Sequence, residues 1–129
     1  MTPSEIRKLV ELAEYGKTKD LAIYANHVQK TEAISRKIHD LNADVRRNAL
    51  SSGHDLAVSA RWHAWAESEQ QKLEGKAHEA AHDKELARKL AVKSSARVQA
   101  LEMLLKKALA EQLILNRRRA EQNNVPPDA

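Results

Sequence analysis

Between Pro3 and Pro126 the chain contains no proline, and a single cluster of turn-forming residues, Ser51-Ser52-Gly53-His54-Asp55, interrupts it. Proline is the residue that ends helices, because it lacks a backbone donor and clashes with the preceding turn. Its absence over so long a stretch leaves two uninterrupted segments on either side of the cluster. Gly53 suits the left-handed position that terminates a helix, and Ser52 or Asp55 suits the cap of the next. The N-terminus carries its own start signal. Thr2, Pro3 and Glu5 form a capping box with proline at the first helical position.

What fills the two segments points the same way. Ala, Leu, Glu, Lys, Arg and Gln dominate, and all are strong helix formers. β-branched residues are scattered and never alternate, so no strand is expected. The chain has no Phe, two Trp and two Tyr. A thick globular core normally relies on such aromatics. A thin seam between two helices does not, and small aliphatic side chains suit it.

The apolar residues follow that seam in alternating steps of three and four. In the first segment they run Ile6, Val10, Ala13, Tyr24, His27, Ile34, Ile38, Leu41, Val45, with Lys17, Asp20 and Thr31 in the same register. In the second they run Ala66, Leu73, Ala77, Ala80, Ala87, Ala91, Val98, Leu101, Leu105, Ala108, Leu115. The spacing predicts an all-α fold, an antiparallel two-helix coiled-coil hairpin with a longer second helix. Its parts are a helix over about 3–50, a turn over about 51–55, and a helix over about 56–122. Residues 123–129, rich in Asn and Pro, are expected to form a disordered tail. Gly75 offers a weak site for a break in the second helix.

A turn centred on Gly53 would set residue i opposite roughly residue 106 − i. Leu41 would then face Trp65, Asp44 would lie near Trp62, and Ile6 would face about Ala100. The paired part would be roughly 65–70 Å long, leaving residues from about 104 to 122 as an overhang of roughly 25–30 Å. That overhang carries Leu104, Leu105, Leu109, Leu113, Ile114 and Leu115, and an isolated helix would not leave them wet.

Charge is unevenly placed. Residues 1–50 carry nine basic and seven acidic side chains, residues 51–85 four and seven, and residues 86–129 nine and four. Lys106, Lys107, Arg117, Arg118 and Arg119 make the overhang basic. Cations favour a helix C-terminus on their own account, and they also suit an acidic protein surface. No nucleic-acid reading motif and no aromatic interleaving accompany them, so no specific nucleic-acid partner is expected. Trp62 and Trp65 lie one turn apart near the hairpin tip. They either cap the seam against Leu41 and Val45 or present a ring to a partner, as tryptophan often does at binding hot spots.

Catalysis is not expected. His78-Glu79-Ala80-Ala81-His82 matches a zinc-protease pattern in which two histidines share a helix face. A catalytic zinc also needs a third protein ligand and a cleft, and nothing downstream of this segment supplies the ligand. The remaining His–Asp neighbours, His39-Asp40 and His54-Asp55, point different ways on a helix or turn. There is no Gly-rich phosphate loop and no cysteine, so no cofactor, thiolate metal site or disulfide framework is expected. The polar start Met1-Thr2-Pro3-Ser4-Glu5 shows no signal peptide, and Leu113-Ile114-Leu115 is far too short to span a bilayer. A cytoplasmic location follows as the expectation, with at most peripheral membrane association through partners.

An N-terminal helix, a turn, the stretch Arg61-Trp62-His63-Ala64-Trp65, then a longer helix with an arginine-rich end resembles the flagellar export protein FliJ and its virulence-secretion counterparts. The segment Ser95-Ala96-Arg97-Val98-Gln99-Ala100-Leu101-Glu102-Met103-Leu104-Leu105 looks like the part of the second helix that precedes the basic end in such chains. The resemblance implies a non-catalytic, stalk-like adaptor of a type III export apparatus that binds the export ATPase, the export gate and export chaperones. It implies that Arg117, Arg118 and Arg119, with Leu105, Lys106 and Lys107, face the ATPase. Leu41, Val45, Trp62 and Trp65 would face the gate. The alternative is a self-associating structural or regulatory coiled coil, which would form a homodimer.

Overall fold

A computed structural model describes residues 1–50 and 55–124, the Leu50 side chain excepted. It contains two helices, α1 (Pro3–Leu50) and α2 (Leu56–Asn123). They pack against each other as an all-α hairpin, and no strand occurs among the described residues. α2 runs through Gly75 without a break, and a Cβ there would meet nothing within 4 Å. The expected turn at Ser51–His54, with its left-handed Gly53, lies outside the described residues. Of the expected tail, Asn123 is the last helical residue and Asn124 a turn residue; 125–129 lie outside.

Both helices begin at the caps expected for them. The Thr2 hydroxyl accepts a hydrogen bond from the Glu5 backbone N–H at 3.3 Å, and the Thr2 carbonyl accepts from Ile6 at 3.1 Å. This satisfies donors that the first turn otherwise leaves unpaired. At α2 the Asp55 carboxylate accepts from the Ala57 N–H at 3.2 Å, and the Asp55 carbonyl from Ser59 at 2.9 Å. The polar residues within α1 also satisfy themselves locally. The Thr31 hydroxyl donates to the carbonyls of His27 (3.2 Å) and Val28 (2.8 Å), which lets a hydroxyl sit on the seam without a partner across it.

The chain divides into two compact units, and each draws on both helices. The first comprises residues 1–20 and 90–129. Its buried residues are Ile6 and Val10 from α1 with Ala91 and Val98 from α2. Ala13, Lys17, Leu101, Leu105 and Ala108 are half-buried beside them. The Ser94 hydroxyl donates to the Asp20 carboxylate across the seam. The second unit comprises residues 21–89. Leu41, Ala66 and Ala87 are buried, while Tyr24, His27, Thr31, Ile34, Ile38, Val45, Leu73, Ala77 and Ala80 are half-buried. Here the Gln70 amide donates to the Asn42 side-chain oxygen at 2.6 Å.

The register differs from the expected one. Asn42 pairs with Gln70 and Asp20 with Ser94, so opposed positions add to 112 and 114 instead of about 106. Leu41 therefore lies opposite about Leu73 rather than Trp65, and Ile6 opposite about Ala108 rather than Ala100. Asp44 lies opposite about Glu69 rather than near Trp62. At the start of α2, Leu56 is 87% exposed and Val58 57%, Ser59, Trp62 and His63 are half-buried, and the first buried residue is Ala66. The displacement is about one heptad. A seven-residue shift returns the same seam positions to face each other, so the periodicity of the sequence is blind to it.

Candidate partner-binding surface

The end of α2 presents most of the candidate residues. From Leu109 to Asn124 every residue is exposed, so the unpaired stretch begins about five residues later than the sequence suggested. It spans roughly 20 Å of helix. Leu105 belongs to the seam and is half-buried, whereas Lys106, Lys107, Arg117, Arg118 and Arg119 are exposed. Leu113, Ile114 and Leu115 are 54%, 49% and 51% exposed. Successive residues of a helix point about 100° apart, so these three side chains cover well over half of its circumference. Leu115 continues the seam of Leu101, Leu105 and Ala108, while Leu113 and Ile114 point away from it. The sequence reading named these residues as apolar surface of the overhang without their spread around the helix. The wheel positions alone would have revealed it.

The tryptophans behave differently from each other. Trp62 is half-buried and packs edge-on to the His63 ring, with centroids 5.2 Å apart. Its ring also lies 6.3 Å from that of Trp65 at a 46° tilt. Trp62 lines a small cleft with Asn48, Val58 and Ser59. Trp65 is 54% exposed. Of the two aliphatic residues grouped with them, Leu41 is buried in the seam and Val45 is half-buried, so neither offers a full side chain to a partner. Val58, Trp62 and Trp65 are spaced along one side of α2, and Leu56 adds a fully wet leucine before them. Leu56 and Val58 were not singled out from the sequence.

Elsewhere the surface mixes exposed apolar side chains, among them Leu12, Tyr15, Leu90 and Met103, with charged residues, some of them paired locally. Arg47–Asp44 (3.0 Å), Lys72–Glu69 (3.9 Å) and Arg88–Glu85 (2.7 Å) are ion pairs three residues apart on one helix. The hydrogen bond from Arg88 holds the Glu85 carboxyl below its usual range and raises the Arg88 guanidinium correspondingly. His78, Glu79 and His82 are exposed on α2, and no three potential ligands come together among the described residues. No described helix is long and apolar enough to cross a membrane. No model of a known protein family, no curated protein and no solved structure matches the chain.

Proposed function

We propose that the protein is a non-catalytic, stalk-like adaptor that binds partner proteins through the free end of α2, in the manner of the flagellar type III export component it resembles. The observation that carries this reading is the exposed Leu113-Ile114-Leu115 triplet followed, after Asn116, by Arg117, Arg118 and Arg119. A helix that is apolar on one side needs one neighbour, whereas one that is apolar all round needs enclosure. The triplet therefore suits a socket with an acidic rim, and a ring-shaped export ATPase supplies a surface of that kind. The arginines steer the approach and fix its register. In the same reading Trp65, with Trp62 behind it, contacts the export gate, and the protein acts in the cytoplasm.

The test is a titration of the purified chain against a purified flagellar export ATPase, following affinity and nucleotide turnover together. Specific binding that raises turnover is the expected result. Replacing Arg117, Arg118 and Arg119 with Glu is expected to weaken binding at least ten-fold, with helicity by circular dichroism unchanged. Equal affinity for the charge-reversed variant sinks the arginine role.

A second reading, self-association, draws on a different observation. Leu115 lies in line with the seam residues Leu101, Leu105 and Ala108, so a second copy of α2 could prolong the seam. Light scattering at micromolar concentration separates the two: a strict monomer removes self-association.

A further inference from the structure

The one-heptad difference between the expected and observed registers exposes a selection problem that the chain has to solve. Three properties of the seam leave it weakly specified. Its fully buried residues include three alanines, whose small side chains fit opposite almost any neighbour. The three ion pairs all lie within one helix, so they are equally good whichever way the helices are paired. By register Asp44 lies opposite about Glu69, two carboxylates that give the observed pairing no electrostatic advantage over the slipped one. Sliding one helix past the other by seven residues, about 10 Å, therefore conserves most of the seam.

Two contacts do not survive such a slide. Among the described residues, Asn42–Gln70 and Asp20–Ser94 are the only side-chain hydrogen bonds that cross from α1 to α2. One lies in each unit. In the slipped register Asn42 would lie opposite about His63 or Ala64, and Ser94 opposite about Ala13. The Asp20 carboxylate would remain on the seam without its donor. All four groups are half-buried, so in the slipped register each would lose its bond and be only partly rehydrated, a cost that falls on the competitor.

We infer that Asn42–Gln70 and Asp20–Ser94 are a register lock, selecting the observed pairing of the two helices against a competing one seven residues away. The lock also sets the length of the free end of α2. The slipped register uncovers a further seven residues, including Leu105 and Ala108, so the lock determines where the partner surface begins.

The absence of cysteine makes the inference directly testable on the full chain. Ile34 and Ala80 line one groove, so Ile34→Cys with Ala80→Cys reports the observed register. Ile34→Cys with Leu73→Cys reports the slipped one. A disulfide forms only when Cα atoms approach to about 6 Å, so each pair is selective. At high dilution and mild oxidation, the first pair is expected to close and the second to stay reduced. Removing the lock with Asn42→Ala, Gln70→Ala, Asp20→Ala and Ser94→Ala is expected to raise closure of the second pair roughly ten-fold or more. A more demanding variant moves the lock instead of removing it. His63→Gln with Gln70→Ala, on Asp20→Ala and Ser94→Ala, places the amide one heptad earlier on α2 and keeps a partner for Asn42. It is expected to favour the second pair over the first. Exclusive closure of the first pair in a helical relocated variant overturns the inference, as does equal closure of both pairs in the unaltered seam.

Discussion

The two units use the same pair of helices and the same seven-residue spacing, yet they bury different things. Residues 1–20 and 90–129 bury three branched side chains, Ile6, Val10 and Val98, and one alanine, Ala91. Residues 21–89 bury Leu41 and two alanines, Ala66 and Ala87, and fill most remaining seam positions with half-buried or polar groups. The first unit fills its buried positions mainly with branched side chains, and the second mainly with small ones. The first unit is also the one that leaves an apolar end uncovered. In both units exposed apolar residues lie off the seam, Leu113 and Ile114 in the first, Val58 and Trp65 in the second.

Truncation of a large buried side chain gives the largest expected effects, of similar size in both units. Ile6→Ala is expected to cost about 2–4 kcal/mol in a chemical denaturation experiment, since it removes a side chain that is 2% exposed. Leu41→Ala should cost about 2–3 kcal/mol. If the second unit relies on close approach, enlarging a small residue should matter there too. Ala87→Leu is expected to cost about 1–3 kcal/mol, because at a position 5% exposed three more carbons must displace their neighbours. A neutral or stabilising Ala87→Leu would erase the distinction drawn between the units.

The caps give a smaller and more even comparison. Thr2→Ala and Asp55→Ala each remove one side-chain acceptor for a first-turn N–H, and each is expected to cost about 1 kcal/mol. Unequal costs, read from thermal melts, would show that one helix start is held by more than its cap.

The smallest effect belongs to the exposed Glu85–Arg88 pair. Glu85 is held below its usual range, so whatever it contributes is present above its unfolded pKa. That contribution is lost as pH falls through the folded value. Solvent screening leaves little to lose, and Arg88→Ala is expected to shift the melting midpoint by no resolvable amount at neutral pH. A clear loss that persists at pH values where Glu85 is protonated would mean that Arg88 has a partner other than Glu85.

The sequence by itself determined the two helices, their caps and the seam positions. Each of these depends on a local rule: proline avoidance, a hydroxyl or carboxylate placed before a helix, and side chains repeating every three or four residues. Every expected α1 seam position, the polar Lys17, Asp20 and Thr31 included, is buried or half-buried. On α2 the seam holds as far as Ala108 and fails at Leu115, where α1 has run out. The sequence also marked the basic end, because a run of three arginines is visible without a fold. Only the tertiary structure decided which heptad faces which, and hence where the free end begins and which tryptophan stays wet. A periodic seam looks the same after a shift of one period. The choice between equivalent pairings falls to the few groups, such as Asn42, Gln70, Asp20 and Ser94, whose partners are unique and lie far away along the chain.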